Sequence, residues 1–211
     1  VSTPTAGPAR RRYDASGRRA AAEERRRRVL DVAGGLFATE GWTSTTIAKI
    51  ASGAEVSTEL ITSAFGSKGG LLMQAVRRVS YGDHGTLRDA VLALDLPAEP
   101  DQARRIDAVV DLACGVLPQM APLVPVMHRA ADDDPEARAA WLDSRDRHAD
   151  NCALIVDLVA PGPPPPDAVD EVYAALLSEN YLAFVHDRGW TTERYAAWLR
   201  RTMRTAVNPC G

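Results

Sequence analysis

Cysteine, lysine and long apolar runs are what this sequence has least of. Its cysteines, Cys114, Cys152 and Cys210, are odd in number and widely spaced. With no C-x-x-C and no adjacent His pair, they exclude a disulfide framework and a thiolate zinc site. No run of 18 or more apolar residues occurs, so no membrane span is expected. The opening stretch VSTPTAGPARRRYDASGRR lacks the apolar core of a secretory leader, and a cytoplasmic protein is the expectation. The motifs of nucleophilic, zinc-peptidase, P-loop and dinucleotide chemistry are missing, and His84, His128, His148 and His186 are scattered. The acidic run Asp132-Asp133-Asp134 directly precedes Pro135, where acids favour a helix dipole, so it reads as a helix start and not a metal site. No enzyme, cofactor or metal is expected. Of 25 basic residues only Lys49 and Lys68 are lysine, a bias of composition that says little about mechanism.

What is present is an uneven distribution of charge. Residues 1–78 hold 13 Lys and Arg against 7 Asp and Glu, whereas residues 79–211 hold 12 against 21. A basic head on an acidic body implies that only the head meets a polyanion. At 45% hydrophobic residues the chain has the means to bury a core.

No strand-like run bounded by hairpin turns is found, so the fold class is all-α. Residues 1–22 carry Pro4, Gly7, Pro8, Gly17 and five arginines (Arg10, Arg11, Arg12, Arg18 and Arg19) without apolar periodicity, and read as a flexible arm. A first helix is expected from about Ala22, with Val29, Ala33, Leu36 and Phe37 inward and Gly41 at its end. Thr45 is the expected N-cap of a short helix over 46–52, with Ile47, Ile50 and Ala51 inward. After a tight turn at Gly53–Val56, Ser57 caps a second short helix over 58–65, whose inward residues are Ile61, Ala64 and Phe65. Two short helices joined in this way form a helix-turn-helix. A further helix opens at Ser67-Lys68 and runs to the Gly82–Gly85 break. Pro118, Pro122 and Pro125 predict a kink or break over 118–128. A long helix follows from about Asp134 to Val159, then the proline linker Pro161–Pro166, a helix over 168–188 ended by Gly189, and a last one over 191–207. The organisation expected is arm 1–22, helix-turn-helix head 23–66 and ligand-binding, dimerising body 67–211.

The order and spacing of Leu30, Ala33, Leu36, Phe37, Gly41, Thr45-Thr46-Ile47, Ile50-Ala51, Ala54, Val56-Ser57, Phe65, Ser67-Lys68 and Leu71-Leu72 resemble the tetracycline-repressor (TetR/AcrR) family of bacterial regulators. The resemblance implies a three-helix DNA-binding head, dimerisation through the last two long helices, and a small-molecule pocket in the body whose occupancy moves the heads out of register with DNA. It also implies phosphate contacts from Thr46 and Lys68, which fits the affinity of helix N-termini for anions. The chain departs from the family pattern at Glu55 and Glu59, where Gly is usual or common. Thr62 and Ala64 replace a frequent Tyr and His, and Gly69-Gly70 replace helix-forming residues.

The DNA-facing set is then Thr45, Thr46, Ser57, Thr58, Leu60, Thr62, Ser63 and Lys68. Glu59 is placed to accept from a cytosine amine and Leu60 to pack on a thymine methyl. For the pocket, Met120, Met127, Trp141, Arg145, His148, Tyr173, Asn180 and Phe184 are candidates, although their spacing fits plain core packing equally well. Asn180 alternatively fixes pairing at the dimer seam, for which Tyr181, Tyr195 and Trp198 are candidates. The partners expected are a near-palindromic double-stranded operator, an unidentified small-molecule effector and a second copy of the chain. Repression is the mode expected. The alternative is a helical regulator acting mainly through protein or small-molecule binding, with weak DNA affinity.

Overall fold

The computed structural model describes residues 15–82 and 85–208, with side chains from Ser16 onward. Arg10, Arg11, Arg12, His84 and Cys210 lie outside the described residues. Within them the chain is helical, with no strand. The order is α1 (Ala15–Ser44), α2 (Ile47–Ala54), α3 (Thr58–Phe65), α4 (Lys68–Tyr81), α5 (Leu87–Leu92), α6 (Gln102–Met120), α7 (Val124–Asp133), α8 (Pro135–Val159), α9 (Ala168–Ala175), α10 (Ser178–Tyr181) and α11 (Thr192–Val207).

Three boundaries differ from expectation. Helix α1 starts at Ala15, not Ala22. Its first turns are exposed on every side, so they carry no apolar stripe to betray them, while Ala and Arg are strong helix formers. The predicted break over 118–128 shrinks to a single 3-10 turn, Ala121–Leu123. Pro118 falls in the last turn of α6, and Pro122 and Pro125 each take an early position of the next element, where a missing N–H costs little. Finally, the helix expected over 168–188 is broken between α9 and α10 and then widens into a π turn, Leu182–Asp187.

Two apolar clusters hold the molecule. One joins Val29, Ala33 and Phe37 of α1 to Ile50, Ile61 and Phe65 of α2 and α3, Leu71, Leu72 and Val76 of α4, and Val124, Met127 and Ala130 of α7. It therefore crosses residue 66, and α4 packs against α1 on one side and α6 and α8 on the other. The second cluster is built from α6, α8, α9 and α11, around Val109, Val110, Ile155, Val156, Val172, Tyr195, Leu199 and Met203. The stretch Gln102–Asp133 has the length and apolar content of a membrane span by composition alone. Here its residues Ile106, Val109, Val110, Leu117, Leu123 and Met127 are buried in the protein's own core.

Candidate nucleic-acid interface and body cavity

Gly41, at φ 78°, interrupts α1 and folds Trp42 back so that its ring stacks on Phe37 with centroids 6.0 Å apart. The N-cap of α2 is Thr46, whose Oγ1 accepts from the Lys49 N–H at 3.2 Å, not Thr45. Thr45 is 0% exposed and its hydroxyl donates to the Leu36 carbonyl at 3.2 Å, so it belongs to the core and not to the DNA-facing set. Two adjacent threonines offer the same side chain, and the cap is the exposed one, while its neighbour is buried. Glu55 ends α2 in the left-handed region, at φ 56° and ψ 47°, as expected for a residue standing where glycine is usual. Ser57 then caps α3, accepting from Leu60 N–H at 3.2 Å.

On α3, Ile61 and Phe65 point inward, while Glu59, Leu60, Thr62 and Ser63 are exposed and Thr58 is half-buried. Ala64, expected inward, is exposed: a helix of this length needs only the i, i+4 pair Ile61 and Phe65 to anchor it. Glu59 has its carboxylate pulled below the usual range by its own backbone N–H, at the start of the helix, and by the hydroxyls of Ser57 and Thr58. The outer ridge of α3 thus combines hydroxyls, one leucine and one fixed anion.

Several head cations serve internal contacts. Arg26 lies over the Phe65 ring at 4.6 Å, donates to Ala64 O at 3.4 Å and also reaches Gln74, so it ties α1 to the end of α3 and to α4. Lys68 donates to the Trp42 carbonyl and sits 4.0 Å over the Trp42 ring. Lys49 pairs with Glu40 at 2.6 Å. Arg19, Arg25 and Arg28 are exposed and make no ion pair among the described residues. Sequence reasoning missed the Arg26 clamp because four consecutive arginines look alike until a helix rotation is chosen.

Gly69 and Gly70, which look like weak points in a helix, permit two close approaches. A Cβ at Gly69 would meet Ala137 Cβ of α8 at 2.9 Å, and one at Gly70 would meet the Phe65 carbonyl at 2.6 Å. Helix α4 is thereby pressed against α8 and the end of α3 in consecutive residues.

Below the head lies a cavity of about 470 Å³ between α4, α5, α6, α7, α8 and the α9–α10 turn. Its apolar wall includes Met73, Val76, Val109, Leu112, Leu117, Met120 and Met127, and its polar wall comes mainly from α8, with Ser144, Arg145, His148 and Asn151. Of the expected pocket residues, Met120, Met127, Trp141, Arg145 and His148 line it. Three do not. Tyr173 stands behind, packed on His148 at 5.0 Å and on the Arg145 guanidinium at 5.4 Å. Phe184 stacks on Trp190 at 4.4 Å within an aromatic cluster with Tyr195 and Trp198. Asn180 donates its amide to the Ala174 and Ala175 carbonyls left open where α9 stops, so it is a helix cap and neither a pocket group nor a seam device. Residues the sequence did not single out, notably Asn151 and the Glu179 partner of Arg145 (3.0 Å), complete the polar wall.

His148 has its imidazole pKa pushed down, first by burial and then by Arg145, and it approaches Cys152 Sγ at 3.8 Å. Burial drives the Cys152 thiol up to about 12, so this pair does not form an activated thiolate. Tyr181 and Tyr195, expected at a dimer seam, are 3% and 0% exposed within the protomer and cannot present a face to a second copy. The half-buried Trp198 packs one side on Phe184 and Tyr195 at 5.0 and 5.4 Å.

Residues 29–75, which span α1 from Val29 through most of α4, match the family described as bacterial regulatory proteins, tetR family. No curated protein matches the chain in sequence. Among solved structures, the chain is similar to a putative TetR-family transcriptional regulator from Mesorhizobium loti, at 16% identity and TM-score 0.67, covering 88% of this chain and 96% of that one. It is also similar to a putative transcriptional regulator from Saccharomonospora viridis in complex with choline (22% identity, TM-score 0.65, 87% and 96% covered). A third is the TetR-like regulator LfrR from Mycobacterium smegmatis in complex with proflavine (19% identity, TM-score 0.58, 90% and 99% covered).

Proposed function

We propose, from the match of residues 29–75 to the tetR family and the likeness of the whole fold to solved TetR-family structures, that this protein is a dimeric DNA-binding transcriptional regulator whose DNA affinity is set by a small molecule in the body cavity. The observation that carries the reading is the head. Two capped short helices meet across the left-handed Glu55, and the second presents Thr58, Leu60, Thr62 and Ser63 outward with its inner face locked on Ile61 and Phe65. A ridge of this kind enters a major groove, and the N-termini at Thr46 and Ser57 are placed for phosphate. Two heads related by a two-fold axis would occupy successive half-sites of a near-palindromic operator. The cavity supports the effector role, as do the choline and proflavine complexes of two structural neighbours. Repression, a cytoplasmic location and a seam formed by the last helices, with the outer edge of Trp198 in it, complete the proposal.

Selection of bound fragments from genomic DNA at several salt concentrations tests it. The expected result is enrichment of one or a few near-palindromic sites, with affinity falling steeply as salt rises. Equal recovery of all fragments would refute it. A second reading, regulation through protein or small-molecule contacts with weak DNA affinity, draws on the fixed charge of Glu59 and on Lys68, which faces Trp42. That reading predicts no enriched site.

A further inference from the structure

We infer that the body cavity takes an uncharged, largely apolar molecule bearing a carbonyl or hydroxyl group, and that Asn151 is the residue that orients it. The inference rests on the reading of the cavity as an effector site. Asn151 is 9% exposed, lines the cavity, and makes no side-chain hydrogen bond among the described residues. An amide that faces a cavity with no protein partner is satisfied by whatever fills it, and a carbonyl that accepts from its NH2, or a hydroxyl that also donates to its Oδ1, supplies that partner. Two hydroxyls of the lining are already engaged. Ser144 Oγ donates to the Trp141 carbonyl at 2.7 Å, and Ser178 Oγ to Glu179 at 3.3 Å.

Neither kind of ion fits the interior as well. A cation needs an uncompensated carboxylate or an open aromatic face. Glu179 already holds Arg145 at 3.0 Å and faces His128 at 3.5 Å, and the Arg145 guanidinium occupies the Trp141 ring at 5.3 Å. An anion needs an unpaired guanidinium inside. Arg145 is paired, Arg147 is bridged to Asp143, and Arg77 and Arg88 are exposed to solvent, where their attraction is weak. Burial keeps the Tyr81 phenol protonated and the His148 imidazole neutral, and Asp150, the other lining carboxylate, is exposed to solvent, where its attraction for a cation is weak. The volume of about 470 Å³ and the wall of Met73, Val76, Leu112, Val116, Met120 and Met127 suit a rigid or branched apolar skeleton.

Four probes on one skeleton test this by calorimetry on the full chain: 2-acetylnaphthalene, naphthalene, 2-naphthoate and a naphthylmethyl-trimethylammonium ion. The ketone should bind roughly tenfold or more tighter than each of the others. Asn151→Leu should bring the ketone down to the level of naphthalene. Asn151→Asp, nearly isosteric and checked by melting, should move the preference to the ammonium probe. Either ion matching the ketone, no probe binding at all, or an unchanged ketone-to-naphthalene ratio in Asn151→Leu would overturn the inference. Adding the ketone to a preformed DNA complex separates the two claims. Selective binding that leaves the complex intact upholds the cavity's chemistry while refuting its role as the effector site.

Discussion

Glu55 holds a left-handed backbone conformation that costs an L-residue about 1–2 kcal/mol, because its Cβ crowds the following carbonyl. Its departure from glycine was legible in the sequence, and the strain is where that departure placed it. Glu55→Gly should therefore raise the melting temperature, the relief being partly offset by glycine's greater freedom in the unfolded chain, for a net gain of up to about 1 kcal/mol. Urea denaturation would measure it, and a loss of stability would mean that the Glu55 side chain makes a compensating contact. His148 gives a pH prediction. Its pKa is depressed in the folded protein by burial and by Arg145, so the unfolded chain takes up a proton first as pH falls below about 6.5. The stability linked to His148 is complete above that pH and is lost as pH falls toward the lowered folded value. His148→Gln should flatten this acid-side decline in a series of melts, whereas an unchanged slope would assign the decline to other groups.

Among the elements, those read best from sequence were the ones with an apolar stripe or a cap: α2, α3, α8 and α11 fall within a few residues of expectation, and α3 carries the Ser57 cap expected for it. What the pattern could not show were features that apolar periodicity does not encode. The exposed turns at the start of α1 have no inward face, and the break after α9 is stabilised by a side chain, Asn180, that lies within the apolar stripe of the next segment. The body cavity was legible on α6, α7 and α8 but not on the segment after α9, because that segment does not continue as one helix and so turns Phe184 into a different cluster. The Gly69-Gly70 pair belongs here as well. By propensity alone, Gly69→Ala should stabilise an exposed helix by roughly 1 kcal/mol. The Ala137 Cβ that would stand 2.9 Å from the new methyl reverses the sign, because backbone packing at the start of α8 has little room to give. The expected outcome is a destabilisation of about 1–3 kcal/mol by thermal melting. A stabilised variant would show that α4 and α8 separate freely at this crossing.

At the scale of the whole molecule, one rigid element connects the two sites. Helix α4 begins at Lys68, capped by Ser67, beside the head, where Gly70 presses on the last carbonyl of α3, and further along the same helix Met73, Val76, Arg77 and Tyr81 form a wall of the cavity. The apolar cluster that holds α3 in place also runs through α4 into α7, so the head has no core of its own that could ignore a displacement from below. Under the proposed function, occupancy of the cavity changes DNA affinity only by the difference in ligand affinity between the DNA-competent and displaced arrangements. Bulk built into the wall should therefore act like a ligand that never leaves. Ala113 faces the cavity from α6, opposite α4, and is not fully buried, so Ala113→Phe adds a ring there without opening a void elsewhere. Affinity for the selected operator should fall roughly 5–150-fold, the range of ordinary allosteric couplings, with the slope of affinity against salt unchanged because no phosphate contact has been removed. A variant that binds the operator as tightly as the original while its cavity no longer admits 2-acetylnaphthalene would mean that the cavity and the head are not coupled through α4.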